Sequence, residues 1–513
     1  MDLGSLDNIL ARHYSLPLGE AAWVTSVLRE TENDLSIIAG NISLLQEATD
    51  DLKLQQATLL EQQSKCSSAL SPLRTLPVEI LQEIFKFACE NDMLVRQDIC
   101  NVCKHWRTIA YRCPSLWTTF VISKRHKPLY SPSMEQILSR IRRAGALPIT
   151  LDYKHTYLPS AFLISILKSG VEGRWSSISM HVPHGSYLPF KKKERVDFTN
   201  LKTLSICLDD GHIGRCKYTF PALKEYKVAY SSPDFYPPGL QVPWSQLTGL
   251  ILETGIGLEE FVQILRRCTL VERCSVWLDV DDVFHSTTFQ PIKLDKIQQF
   301  SIYANAFPSG LLPVTETPLL RRFTFRIKGD YTDAFVYWEP QLIPFLRRAA
   351  NTLMALELEI EDADLDELHE SWIQMPLLSE IKLHSFRPLT YPVEEEFFQF
   401  LTLSRSNQTL PNLEVFALAV PLLPSIVDVP GTEELFMDFV KSRYWNDAVI
   451  QGTATAPKRK LKQAVLIATL DTRFMLEGRF QNLSTQCPDL DIRHTTSGEW
   501  AQALAAHLRL QVR

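Results

Sequence analysis

Between residues 175 and 418 the chain repeats one small pattern, apolar-x-x-apolar-x-apolar. The units begin at Trp175, Leu201, Leu223, Leu247, Ile297, Leu320, Leu353, Leu378 and Leu413, as in Leu201-x-x-Leu204-x-Ile206. Two apolar residues spaced by two place both side chains on one face of a strand. Most successive units lie roughly 22 to 35 residues apart, with helical stretches such as Leu258 to Arg267, Gln341 to Ala350 and Glu394 to Leu403 between them. A strand and a helix per repeat cannot bury their apolar faces alone, so the repeats must stack. Met134 to Ala144, with Gly145 placed to cap it, and the alternating Leu147 to Leu151 read as an earlier turn of the same kind.

The N-terminal part has a different period. Residues 1–20 hold Pro17 and Gly19 and no sustained pattern, and are expected to be a disordered leader. From Ala21 to Ala69 apolar residues fall seven apart: Leu28, Leu35, Ile42, and, offset by three, Ile38, Leu45, Leu52, Leu59. That is the a/d seam of a coiled coil, weakening where Thr49, Gln56 and Gln63 take the other seam position. Residues 21–70 are therefore expected to form one amphipathic helix. It either self-associates or folds back on the helical module next to it.

That module, Pro72 to Trp117, is compact. Pro77 suits the start of a helix and Glu79 its first turn. Ile80, Leu81, Ile84, Phe85 and Ala88 then form a broad stripe, and a second helix is expected to carry Ile99, Val102, Cys103, Trp106, Ile109 and Ala110. Three blocks, Leu76-Pro77-x-Glu79-Ile80-Leu81-x-x-Ile84-Phe85, Val102-Cys103-x-x-Trp106-Arg107-x-Ile109-Ala110 and Pro114-x-Leu116-Trp117, stand in the order seen in the F-box family, which this stretch resembles. The resemblance covers under a tenth of the chain. It implies docking on a Skp-type adaptor and, through it, on a cullin-based SCF ubiquitin ligase. It implies Leu76, Pro77, Ile80, Leu81, Ile84 and Phe85 as the partner-binding residues. Trp106 and Ile109 read better as core.

The repeat region resembles leucine-rich repeats in period, although the Asn or Cys that comes after the strand in that consensus does not recur regularly. A generic α/β sheet domain is the plainer reading. The whole layout is similar to expanded fungal F-box families: heptad helix, F-box, then a degenerate repeat domain with Arg174-Trp175 and Pro243-Trp244 landmarks. The expected architecture is thus α/β: a coiled-coil helix (21–70), an all-helical F-box (71–118) and an irregular leucine-rich-repeat-like solenoid (119–513) ending in a cap.

Composition narrows the function classes. A net charge of −6 over 513 residues gives no overall case for nucleic-acid binding. No run of eighteen apolar residues occurs, so no membrane span is expected. Ten scattered cysteines do not make a disulfide framework, which points to a reducing compartment, cytoplasm or nucleus.

Catalytic and metal signatures are weak. Gly211-His-Ile-Gly214 lacks a third glycine, His369-Glu370 lacks the second His of a zinc-protease helix, and no Gly-x-Ser-x-Gly elbow occurs. Cys100-Asn-Val-Cys103 has no second pair at zinc spacing. The acidic groups around Glu361 to Glu367 and Glu394 to Glu396 read as solvated faces and first-turn carboxylates. No cofactor, metal or catalytic residue is expected. The reading is a non-enzymatic substrate receptor of an SCF ligase, holding an unknown target protein on its repeats. The alternative is a scaffold that docks a partner without ubiquitin transfer.

Overall fold

A computed structural model describes residues 10–11, 17–70, 72–91, 95–123, 134–154, 160–167, 172–182, 195–208, 217–230, 242–280, 289–327, 339–359, 365–384, 391–403, 409–420, 432–444, 461–468, 487 and 491–495. By its internal contacts the chain divides into two compact units, residues 1–91 and 92–513.

In the first unit, helix α1 runs from Leu18 to Ala69, entered through the extended backbone of Pro17. Its length of 52 residues is unbroken by proline. The hydroxyls of Thr25, Thr31, Thr49 and Thr58 bond back to carbonyls one turn earlier, which satisfies them without interrupting the ladder. The heptad residues are all open: Leu28, Leu35, Ile38, Ile42, Leu45, Leu52 and Leu59 are each more than half exposed. Most of the expected leader, residues 1–9 and 12–16, lies outside the described residues. A 3-10 turn at Pro72–Arg74 leads to helix α2, Val78–Asn91.

The second unit opens with two short helices where the periodicity suggests one. Helix α3 covers Val95–Val102 and helix α4 covers Lys104–Tyr111. Cys103 between them is extended (φ −160°, ψ 170°), and its sulfur accepts from Trp106 N at 3.4 Å. It is exposed, so it caps a helix and does not pack as a small hydrophobe. Continuous apolar spacing across residue 103 hides a break of this kind, because an N-cap changes one residue's backbone and barely shifts the period.

Beyond α4 the described residues build one main sheet of fourteen strands, with two small two-stranded parallel sheets, Arg195–Asp197 with Lys217–Thr219 and Ile292–Lys293 with Thr315–Glu316, beside it. The first half of the main sheet comprises β1 (Thr119–Ser123), β2 (Ile149–Lys154), β3 (Trp175–Val182), β4 (Thr203–Leu208), β5 (Glu225–Tyr230), β6 (Gly249–Gly257) and β7 (Arg273–Asp279). The second half comprises β8 (Gln299–Ala304), β9 (Arg322–Ile327), β10 (Ala355–Glu359), β11 (Glu380–His384), β12 (Val415–Val420), β13 (Gln463–Ala468) and β14 (Asp491–Thr495). Spatial order is chain order, and every pairing is parallel. Parallel neighbours need a crossover. Helices α5 (Met134–Arg143), α6 (Ser160–Leu167), α7 (Leu258–Arg267), α8 (Glu339–Ala349), α9 (Leu365–Ile373), α10 (Tyr391–Leu401) and α11 (Thr432–Tyr444) lie in crossovers. Gly145, just past α5, takes the left-handed conformation its C-cap position needs (φ +59°).

Each repeat unit has the same internal logic. Its three apolar residues are buried, from Leu201, Leu204 and Ile206 in the first half to Leu413, Phe416 and Leu418 in the second, and they share one core with Phe261, Phe345, Trp372 and Phe436 from the helices. A backbone ladder runs just before the strands: Lys202 N donates to Ser176 O, Lys224 to Lys202, Thr248 to Lys224, Glu272 to Thr248, and so on to Lys462 and Glu414, all at 2.7 to 2.8 Å. Regular Asn side chains are therefore not what joins successive repeats. Scattered amides add to the ladder: Asn200 reaches Gly173 O, Asn412 reaches Pro376 O, and Gln246 reaches the carbonyls of Phe220, Pro221 and Leu223.

Candidate functional site

Helix α2 presents two different apolar faces. The carbonyl of Pro77 accepts the first helical bond, from Leu81 N at 3.1 Å, so proline stands one residue before the helix proper. Leu81, Phe85 and Cys89, four apart, are buried at 1%, 1% and 7% exposure. Ile80, Ile84 and Phe87 are exposed at 49%, 45% and 71%. Residues i, i+4 and i+7 lie on one side of a helix, so these three make a continuous open apolar row.

The six residues expected to bind a partner are thus parted. Ile80 and Ile84 face solvent, Pro77 is exposed and Leu76 half-buried at the mouth of the helix, while Leu81 and Phe85 are core. Phe87 was not expected at the surface. Its signal was available seven residues after Ile80, but the wide apolar stripe of α2 conceals which side turns inward.

Within residues 92–123 the geometry centres on Trp117. Its indole Nε1 donates to Ala110 O at 2.8 Å, which ties the Pro114–Trp117 turn to the end of α4. The guanidinium of Arg143 lies 4.9 Å from the indole centroid and 4.1 Å from that of Tyr111, and Arg96 lies 5.3 Å from the indole. Two cations on an indole face are favourable because its π-cloud is negative. Ile109 is buried and Trp106 half-buried, in keeping with a core role for the first and a part-open one for the second. Val102 is exposed.

The sheet has a second concentration of chemistry, on the strand residues that alternate with the core. Registers align Thr324 with Glu357 and Lys382, and Glu359 with His384, across β9, β10 and β11. Glu357, Glu359, Lys382 and His384 are all buried. Arg326 reaches Glu357 at 3.7 Å and Glu359 at 3.9 Å, His384 Nε2 stands 3.4 Å from Glu357, and Arg322 and Lys382 pair with Glu380 at 2.8 and 2.7 Å. Burial alone would raise the Glu357 carboxyl. Contact with His384 and the charges of His384, Arg326 and Lys382 outweigh it, leaving the pKa below the usual carboxylate range. Burial depresses His384. Three cations here balance three carboxylates, so the cluster has the form of a closed charge network. Beside it, Trp277 and Tyr303 stack in parallel at 6.3 Å on β7 and β8 and are half-buried.

Among the described residues no group of three or more His, Cys, Asp or Glu could hold a metal ion. The Cys100 thiol is pushed up by burial, although Arg143, Arg107, Arg96 and Arg140 pull the other way. That favours the thiol over the thiolate a metal requires. His369 lies in the core, stacked on Phe400 with ring centroids 4.2 Å apart. Gly211 to Gly214 and the 361–364 acidic group lie outside the described residues. Among those residues no helix is long and apolar enough to cross a membrane.

No curated protein matches the chain. The family model described as F-box-like matches residues 73–123, which take in α2, α3, α4, the Trp117 turn and β1. This is the segment that carries the open row of Ile80, Ile84 and Phe87 and the Trp117 anchor. The chain thus carries an F-box-like domain at residues 73–123, within an α/β fold.

Proposed function

We propose that the protein is the substrate receptor of an SCF-type ubiquitin ligase. The observation that carries this reading is the exposed row Ile80, Ile84 and Phe87 inside the matched domain. Three large apolar side chains on one solvent-facing helix side are costly unless a partner covers them, and a helix laid against an apolar groove is a common protein–protein mode. In this reading a Skp-type adaptor takes the row, with Leu76 and Pro77 at its end, and connects the chain to a cullin. Leu81 and Phe85 support the interface from inside.

The leucine-rich-repeat-like sheet, from 119 onwards, would hold the target protein. Support comes from the alternate residues of its strands, which present half-buried polar and aromatic groups such as Ser275, Trp277, Ser301 and Tyr303 along one face. The receptor contributes binding and no chemistry of its own; ubiquitin transfer belongs to the enzymes the cullin recruits. The described cysteines are free thiols, as a reducing compartment, cytoplasm or nucleus, permits.

The test is co-purification of the full chain with a recombinant Skp-type adaptor, comparing wild type with Ile84→Asp. Because Ile84 is 45% exposed, the variant should keep its fold by circular dichroism. Stoichiometric adaptor with wild type and none with the folded variant supports docking. No adaptor with either protein overturns the reading. Adaptor binding without ubiquitylated products in a reconstituted ligase would favour a scaffold.

A further inference from the structure

Helix α1 exposes an apolar seam that no other described residue of its unit covers, and its residue order specifies a partner. We infer that two copies of this chain join through α1 as an antiparallel two-stranded coiled coil. At 1.5 Å per residue the helix is about 78 Å long, and Leu28, Leu35, Ile42, Leu45, Leu52 and Leu59 are 51% to 67% exposed along it. Burying a Leu or Ile fully removes on the order of 80 Å² of apolar surface at the usual transfer coefficient. Six per chain, each only 51% to 67% exposed at the start, give about 600 Å² for the pair, and Ile38, the polar seam residues and the flanking stems supply the rest of a stable interface.

The orientation is set by where the polar seam residues sit. One seam position is apolar early (Leu28, Leu35, Ile42) and polar late (Thr49, Gln56, Gln63); the other is apolar late (Leu45, Leu52, Leu59) with Thr31 early. A parallel pair sets each residue against itself and stacks Thr49, Gln56 and Gln63 in three successive polar layers on their seam position. An antiparallel pair instead sets one position against the other. Leu28 then meets Leu59, Leu35 meets Leu52, and Ile42 meets Leu45, each twice around the dyad, while Thr49 moves opposite Ile38 and Gln56 opposite Thr31.

Charge agrees with that arrangement. In it the flanking Glu32 and Lys53 of opposite copies become neighbours, again twice. In the parallel arrangement Glu32 faces Val27 and Lys53 faces Ala48, and no ion pair forms across the seam. Lys53 pairs with Asp50 on its own helix at 3.2 Å, but that contact is exposed and easily exchanged. Flanking charge pairs of this type set partner orientation in coiled coils. Two receptors joined in this way could hold a target carrying two recognition elements with an avidity gain.

The inference is independent of adaptor docking. Sedimentation equilibrium of the full chain at about 10 μM should give twice the chain mass, and the double variant Leu35→Lys, Leu52→Lys should give a single chain mass while still binding adaptor. Orientation is read by disulfide trapping in a Cys66→Ser background. Differently tagged Leu35→Cys and Leu52→Cys chains are mixed and oxidised, and heterotypic cross-links are expected in excess. A wild type of one chain mass overturns self-association. A dimer trapped only as Leu35→Cys with Leu35→Cys and Leu52→Cys with Leu52→Cys overturns the antiparallel arrangement.

Discussion

The indole nitrogen of Trp117 donates to the carbonyl of Ala110 at 2.8 Å, seven residues back along the chain. This bond closes the end of α4 onto the turn that feeds β1, so it joins the last block of the F-box-like domain to the first strand of the sheet. Both residues are buried, Trp117 at 3% and Ala110 at 0%. Replacing Trp117 by Phe leaves the Ala110 oxygen without that donor and weakens the cation contacts from Arg96 and Arg143. The expected cost is about 1–3 kcal/mol, seen as a lower melting temperature. An unchanged melt would show the bond to be dispensable.

The two faces of α2 should respond oppositely to substitution. Phe85→Ala empties a site with 1% exposure and should destabilise the protein by roughly 3–5 kcal/mol. Phe87→Ser, at 71% exposure, should change stability by less than about 0.5 kcal/mol yet weaken adaptor binding. Interface anchors of this size often cost about 2 kcal/mol or more on truncation, or roughly thirtyfold in Kd. Calorimetric titration of both variants with adaptor separates the effects. Equal loss of stability in both would mean the faces are misassigned.

How much of the fold and the docking row is legible in the sequence depends on whether local spacing carries the information. The repeat units are readable because a strand with one buried face writes its burial as alternation: Leu320, Phe323 and Phe325 are all at 1% exposure or below. One unit escapes that reading. Val271-x-x-Cys274-x-Val276 matches the pattern, and Val271 just before β7 and Cys274 and Val276 on it are buried, but a cysteine in the central place masks an aliphatic slot. The gap between the Leu247 and Ile297 units, about twice the usual spacing, marks where it belongs. The break at Cys103 and the inward side of α2 are not readable, because both depend on the direction of a side chain and leave the period unchanged. The buried charges of β9 to β11 are invisible for a related reason: Arg326, Glu357 and His384 are far apart in sequence and meet only through strand register.

Arg443 fastens one end of the sheet's helical layer. From the last turn of α11 it donates through Nε and Nη2 to Leu401 O, through Nη2 to Thr409 O and through Nη1 to Leu410 O, at 2.7 to 2.9 Å. Leu410 is a non-glycine residue in the left-handed region (φ +52°), a conformation this bond helps to hold. Burial pulls the guanidinium down to about 9, which still leaves it charged at neutral pH. Arg443→Met should remove the guanidinium's bonds to three carbonyls, of which Leu410 O keeps the N–H of Leu413 at 3.1 Å, and cost roughly 3 kcal/mol or more. Arg443→Lys should recover only part of that, since an ammonium cannot span three acceptors as a planar fork does. Thermal melts of the two variants decide it; a Lys variant equal to wild type would show that charge alone suffices.

The pair His384 and Glu357 makes stability fall as the solution is acidified, in two windows. His384 is held below its ordinary 6.5 by burial first, with Arg326 and Lys382 in the same sense and Glu357 opposing. As pH drops through 6.5, the unfolded chain takes up a proton that the folded ring refuses. The unfolded state then binds more protons, so stability falls until the folded ring titrates as well. Glu357 acts lower down. Its folded carboxyl lies below 4.5, so its contribution is complete above 4.5 and is lost as pH falls through the depressed folded value. In His384→Gln the first window should flatten while the second persists in weakened form, because one of the contacts holding the carboxylate is gone. Melting temperatures of wild type and variant from about pH 7.5 to about pH 3.5 give both slopes. Curves that run parallel between about pH 6.5 and about pH 5 would show that His384 titrates as it does in the unfolded chain, and that the β9 to β11 network is more open to water than its burial implies.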